Sequence, residues 1–171
     1  MDHPSSASRS NDRRRVLIAE DEPAMANAIQ RVLRGAGYDT MLAPDGMVTR
    51  SLLHSFNPDL ITLDLFMPNV DGIALLEFMR ELNEVVPSLS CRILVVSGAS
   101  QEWLQLALEL GAHGVLTKPF TNEALLERVS YVFDSAQADT MPAAMNPLAT
   151  PNAMNWREHA WSTSAEDPMR S

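Results

Sequence analysis

Glu20 and Asp21 follow the apolar run VLIA, Asp64 follows LITL, Ser97 follows ILVV, and Lys118 follows GVLT. Carboxylates, a hydroxyl and an ammonium at the ends of four apolar runs are the ingredients of metal-assisted phosphoryl chemistry. A carboxylate with a reference pKa of about 3.9 is ionised at neutral pH, so Asp64 can attack phosphorus without a base to activate it. The obstacle is the charge of the phosphoryl group, which a hard divalent cation and Lys118 would offset. Glu20, Asp21 and Asp64 offer oxygen ligands for that cation, leaving positions for water, a backbone carbonyl and a phosphoryl oxygen. Ser97 can hydrogen-bond a second phosphoryl oxygen and Lys118 can take a third as a point charge. Each residue alone has a plainer reading, Asp64 and Ser97 as turn or cap formers, Lys118 as a surface lysine, Glu20-Asp21-Glu22 as a solvated helix start. Their coincidence at strand ends favours the functional reading, because parallel strands bring their C-terminal ends to one edge of a sheet.

The elements that would position them alternate along the chain. Val16 to Ala19 has the pattern of a buried strand, and Pro23 opens a helix with Ala24, Ala28, Ile29, Val32 and Leu33 on one face, stopped by Gly35 and Gly37. Tyr38 to Ala43 is a weaker strand, followed by a helix from Gly46 to Phe56 with Val48, Leu52 and Leu53 inward, closed by Asn57 and Pro58. Leu60 to Leu63 pairs with a helix capped by Asp71 and carrying Ile73, Leu76, Phe78 and Met79. Ile93 to Val96 precedes a helix near Ser100 to Leu110, and Val115 and Leu116 precede one from Thr121 to about Phe133. Five such alternations predict an α/β fold with a parallel sheet covered on both faces. Met41, Met47, Met67 and Met79 are expected at the core or its edge.

A chain of 171 residues with 46% hydrophobic content accommodates one domain plus tails. The net charge is −9, and residues 16 to 133 hold 7 basic against 15 acidic side chains. No dense basic run is interleaved with aromatics, so nucleic acid is not the expected partner. Cys91 is the only cysteine, which excludes an internal disulfide or zinc cluster and is expected to be a buried structural thiol. His3, His54, His113 and His159 lack metal-ligand spacing, and none looks like a phosphodonor. Residues 1 to 15 are expected to be a flexible Arg-rich arm without a secretory h-region, residues 16 to 133 the domain, and residues 134 to 171 a flexible tail without an output domain. No run reaches membrane-spanning length, so a cytoplasmic protein with no membrane partner is expected.

The segments VLIAEDEP, LITLDLFMPNVDG, ILVVSGAS and GAHGVLTKPF together span nearly all of residues 16 to 133. In them the chain resembles the receiver domain of two-component response regulators, specifically a stand-alone, chemotaxis-regulator-like receiver. The resemblance implies a flavodoxin-like (βα)5 three-layer sandwich with strand order 2-1-3-4-5. It implies Asp64 as phosphoacceptor, Asp21 as a direct ligand of Mg2+ (or Mn2+), Glu20 acting through water, and the Phe66 backbone carbonyl as a further ligand. Ser97 takes the role of the switch hydroxyl, Lys118 that of the phosphoryl-binding lysine, and a cis Lys118-Pro119 peptide is expected. The donor would be a sensor histidine kinase or a histidine phosphotransfer protein. The output would be altered contact with another protein at the face of helix four, strand five and helix five, from a monomer or weak dimer. Such a protein is not an enzyme in the ordinary sense, since it catalyses only its own phosphorylation and dephosphorylation.

This chain departs from the commonest receiver pattern at three places. Glu20 replaces an Asp, a change compatible with metal binding through water. Val115 stands where many receivers carry a Tyr or Phe that moves with the switch hydroxyl. Phe66 and Ala99 flank the site without a polar group to orient water, which predicts slow loss of the phosphoryl group. Among other readings, a phosphatase of the haloacid dehalogenase type needs a second Asp as general acid and base where Phe66 stands. A flavin binder is disfavoured by the three negative charges of Glu20-Asp21-Glu22, and a phosphorylation-independent receiver scaffold by the complete set of polar residues. Trp103, Leu106 and Leu110 form a helical stripe distinct from Leu104, Ala107 and Leu108, either a partner surface or local packing. Trp156 and Trp161 lie in the tail segment NWREHAWSTS, read as unstructured, with a docking element as the alternative.

Overall fold

The computed structural model describes residues 13–69, 71–85 and 91–138; most of the expected arm and nearly all of the tail, including Trp156 and Trp161, lie outside them. The elements alternate as β1 (Arg15–Ala19), α1 (Pro23–Gly35), β2 (Asp39–Ala43), α2 (Gly46–Phe56), β3 (Leu60–Leu63), α3 (Gly72–Val85), β4 (Arg92–Ser97), α4 (Gln101–Glu109), β5 (Gly114–Thr117) and α5 (Asn122–Ala138). All pairings are parallel and the strand order is β2-β1-β3-β4-β5, the order expected. The chain divides after Asp134 into two units, and the features below, apart from the last turn of α5, belong to the first.

The unbroken apolar stretches of β1, β3 and β4 are what a sheet covered on both faces requires. Alternate residues face opposite layers. Leu17, Ile61, Leu63 and Val95 pack with Leu53, Phe56, Leu75, Leu76 and Leu104 from α2, α3 and α4. Val16, Ile18, Leu60, Leu94 and Val96 pack with Ile29, Leu33, Leu125, Val129 and Val132 from α1 and α5. Local chemistry sets several helix ends. Pro23 opens α1, Asp45 accepts from the Val48 N–H at 2.8 Å and Asp71 from the Ala74 N–H at 2.8 Å. Asn57 closes α2 in the left-handed region, with φ of 49°.

Several expectations are corrected. The inward face of α1 is Ala26, Ile29 and Leu33, while Ala24 and Ala28 are exposed. Alanine methyls bury too little area to fix a helix's rotation, so the larger Ile29 and Leu33 decide it. Helix α5 continues past Phe133 to Ala138, since neither Gly nor Pro interrupts the stretch. Arg14 and Arg15 are not part of a loose arm: their guanidiniums lie over the rings of Phe133 and Phe56 at 4.3 and 4.7 Å, and Arg15 begins β1. Met41 and Met47 are exposed, whereas Met67 and Met79 are buried. Leu110 joins the core instead of a separate stripe with Trp103. Cys91 is half-buried, and burial pushes its thiol up to about 12, so it is inert at neutral pH. His113 is structural, its Nδ1 accepting from the Ile93 N–H at 3.1 Å.

Thr62, in register between Ile18 and Leu94, is buried and its hydroxyl has no hydrogen-bond partner. A buried unpaired hydroxyl costs about 1–3 kcal/mol relative to an apolar group of the same shape. Thr62→Val is therefore expected to raise stability by about 1 kcal/mol, read as a higher denaturant midpoint with unchanged slope. A midpoint equal to or below the wild type would count against this account.

Candidate functional site

The C-terminal ends of β1, β3, β4 and β5, neighbours in the sheet, converge as their register requires. Ala19 pairs with Leu63, Leu63 with Val95, and Ser97 with Thr117, so the residues that follow Ala19, Leu63 and Thr117 emerge on one edge beside Ser97. Backbone bonds continue the ladder past the strand ends, with Glu20 N–H donating to Ala43 O, Asp64 N–H to Ala19 O, and Lys118 N–H to Ser97 O, each at 3.0 Å. These bonds fix the side chains' points of departure.

Asp64 is the centre of the cluster. Its Oδ1 accepts from Ser97 Oγ at 2.7 Å and from the Phe66 N–H at 3.2 Å, and its Oδ2 accepts from Lys118 Nζ at 2.6 Å. Lys118 Nζ also donates to Glu20 Oε2 at 2.7 Å. Glu20, Asp64 and Ser97 are all buried, while Asp21 is exposed. One oxygen from each of Glu20, Asp21 and Asp64 lies within 4.8 Å of the others, the spacing of a cation site. The Lys118-Pro119 peptide is cis.

Burial raises the Glu20 carboxyl above its usual range, with the Lys118 ammonium opposing the shift and the Asp64 charge adding to it. Burial alone would lower Lys118, but its hydrogen bonds to Asp64 and Glu20 outweigh that and hold its pKa above the ordinary value. The direct Lys118 contact to Glu20 is absent from the sequence reading, which cast Glu20 only as a metal-side residue.

Lys118 is half-buried and sits between two buried carboxylates, so Lys118→Met strands both. Breaking such a pair is expected to cost about 3 kcal/mol near neutral pH. Because the folded pKa of Lys118 is raised, its contribution is complete below the ordinary 10.5 and is lost as pH rises through the folded value. Denaturant midpoints of wild type and variant are thus expected to differ most below pH 10.5 and to begin to draw together as pH rises above it. A constant gap would contradict the assignment.

Gly72 was not singled out by sequence reasoning, yet it supports the site from behind. Its N–H donates to Leu65 O at 2.9 Å, and a Cβ there would stand 2.5 Å from Asp64 O and 2.6 Å from Leu65 Cα. The signal available in the sequence was Asp71-Gly72, a capping residue followed at once by a residue without a side chain. Asn69, with φ of 69°, reaches Asp45 Oδ2 at 3.5 Å across the neighbouring loop. Phe66 is 57% exposed, and its ring meets Trp103 of α4 edge-on, with centroids 6.3 Å apart. Val115 is half-buried against the α2–α3–α4 layer.

Residues 16–130 match the family model described as the response regulator receiver domain. The chain belongs to this family. Among curated relatives, it is 35% identical over 130 residues to the Synechocystis DNA-binding dual master transcriptional regulator RpaA, covering 76% of this chain and 52% of that protein. It is 32% identical over 120 residues to the Bacillus subtilis alkaline phosphatase synthesis transcriptional regulatory protein PhoP, covering 70% and 48%. The chain thus spans about half the length of the curated relatives it matches. Among solved structures, the receiver domain of Francisella response regulator 1452 superimposes with a TM-score of 0.65 at 31% identity, covering 72% of this chain and 98% of that one. The signal receiver domain from Bermanella marisrubri gives 0.64 at 39% identity, covering 71% and 98%.

Receiver domains generally bind Mg2+ through acidic residues, and this receiver's donor set fits the ion. Three hard oxygens face one another, and a single ammonium leaves the cluster with excess negative charge for a divalent cation to neutralise. Among the described residues no helix is long and apolar enough to cross a membrane.

Proposed function

We propose that this receiver accepts a phosphoryl group on Asp64 from a phosphohistidine donor, a sensor histidine kinase or a histidine phosphotransfer protein, and signals by altered contacts with another protein. The observation that carries the reading is Asp64 itself, a buried carboxylate whose two oxygens already face a hydroxyl, an ammonium and a backbone N–H. In the transfer an Asp64 oxygen forms a P–O bond as the donor's P–N bond breaks. The leaving imidazole keeps the electron pair and takes up a proton. Ser97 and Lys118, already within hydrogen-bond reach of the nucleophile, can turn to the arriving phosphoryl oxygens without crossing the site.

Glu20, Asp21 and Asp64 would hold Mg2+ (or Mn2+), with the Phe66 carbonyl as a further ligand. The ion supplies positive charge against the phosphoryl oxygens. Glu20 has a second task, since its contact with Lys118 holds the ammonium at the site mouth while Asp64 reacts. The face of α4, β5 and α5 would meet the downstream protein, in the cytoplasm. The reading concerns residues 16–133, and the DNA-binding named for RpaA belongs to that whole protein. A phosphomonoesterase finds no support, because Phe66 offers no proton-transfer group beside Asp64.

Incubation with a small-molecule acyl phosphate and Mg2+ tests this. The expected product carries one hydroxylamine-labile phosphoryl group, and chelation of the metal slows its formation by roughly a hundredfold. Labelling that resists hydroxylamine, or that proceeds unchanged with chelator, would overturn the proposal.

A further inference from the structure

The buried site must reach the surface by some route, and the structure assigns a route through two aromatic rings. We propose that the edge-on contact between Phe66 and Trp103 carries the phosphorylation state of Asp64 to α4. The inference rests on Asp64 being the phosphoacceptor, and goes beyond it by naming the link.

The inner end of the link is the Phe66 N–H, which shares the acceptor Asp64 Oδ1 with the Ser97 hydroxyl. Phosphorylation converts the carboxylate into an acyl phosphate, a mixed anhydride, and adds phosphoryl oxygens that are stronger acceptors. The two donors then face a new choice of partner, and the backbone at Phe66 adjusts with it. Ser97 and Lys118 also sense the change, but Ser97 is wholly buried and Lys118 is tied to Glu20. Phe66 carries an exposed ring, aimed at another element.

The outer end is Trp103, in the first turn of α4, with a ring 78° from that of Phe66. Helix α4 is the element most ready to respond. At 9 residues it is the shortest helix among the described residues, and within its span only Leu104 and Ala107 are buried. Its N-cap Ser100 makes no side-chain hydrogen bond, as Glu22 makes none at the start of the longer α1, whereas Asp45 and Asp71 cap α2 and α3. Few buried side chains and an uncapped start place a helix at the low end of local stability. Gly98, between Ser97 and α4, is exposed and carries no side chain, and a Cβ there would meet nothing within 4 Å, so the packing of this segment rests on Ala99. Val115 on β5 is aliphatic and gives Ser97 no ring to move. An edge-to-face pair between otherwise exposed rings biases a two-state element by roughly two- to tenfold in population, enough to modulate a partner surface.

The test reads α4 directly. Amide hydrogen exchange over Gln101–Glu109 is measured before and after phosphorylation by a small-molecule acyl phosphate with Mg2+, with the phosphorylated fraction determined separately on a phosphate-affinity gel. Wild type is expected to show at least a twofold change in α4 exchange. Trp103→Leu, which lies outside the phosphoryl site, is expected to be phosphorylated to the wild-type extent and to lose most of that change. Trp103→Phe, which keeps an edge-on ring, is expected to retain it. Phosphorylated Trp103→Leu with the full wild-type change overturns the relay alone. A wild type that takes no phosphoryl group overturns the phosphoacceptor reading and the relay with it.

Discussion

Asp64→Asn is expected to reduce phosphorylation from a small-molecule phosphodonor by roughly a hundredfold or more. The substitution preserves shape, and Ser97 Oγ can still donate to an amide oxygen as it does to Asp64 Oδ1 at 2.7 Å. What changes is chemical. An amide is a far weaker nucleophile than a carboxylate, and its NH2 would meet the Lys118 ammonium where Oδ2 now accepts at 2.6 Å. The cation cluster would also fall from three carboxylates to Glu20 and Asp21, so added Mg2+ should raise the melting temperature less than in the wild type. Both effects can be measured on one preparation, by phosphate-affinity electrophoresis and by thermal unfolding with and without Mg2+. A variant phosphorylated within about threefold of the wild-type rate would show that the nucleophile lies elsewhere.

Gly72→Ala is expected to be the most damaging change away from the reacting atoms. In a helix, Ala is ordinarily favoured over Gly by about 1 kcal/mol. Here the added Cβ would lie 2.5 Å from Asp64 O and 2.6 Å from Leu65 Cα, both backbone atoms that cannot rotate aside. Overpacking of this kind costs about 1–3 kcal/mol, so sterics outweigh helix propensity and the net effect is destabilising. Relief requires α3 and the Asp64–Leu65 backbone to part, and a displacement of about 1 Å at a reacting group can cost on the order of a hundredfold in rate. The expected result is a folded variant with a lower melting temperature and phosphorylation slowed by roughly ten- to a hundredfold. Wild-type rate with wild-type stability would mean that the loop yields freely and that Gly72 has no positioning role.

The order of the elements was legible because each strand end has its own punctuation. Helix α2 runs from Gly46 to Phe56 as expected, since Asn57 and Pro58 forbid continuation. The rotation of α1 was not legible, because Ala24, Ala26 and Ala28 are equivalent in hydropathy and only the packed sheet chooses among them. Met41 and Met47 were misplaced for a related reason: Met41 lies on the edge strand β2 and Met47 on the outer side of α2, where a flexible apolar side chain tolerates solvent. Trp103 stands out in the sequence as part of a helical stripe, but its contact with Phe66, 37 positions earlier, depends on how α4 sits against the loop after β3.

The sequence by itself determined the family, the alternation of strand and helix, and which polar groups stand at the ends of the apolar runs. Those properties are local, since hydrophobic period and turn chemistry act over a few residues. Only the tertiary structure decided that Lys118 bridges Glu20 and Asp64 across 98 and 54 positions of chain, that Gly72 presses on the backbone of Asp64, and that the ring of Phe66 touches α4. Such contacts depend on strand register and helix packing to within a fraction of an ångström. The pattern of apolar and polar residues constrains those only after every element has found its neighbours.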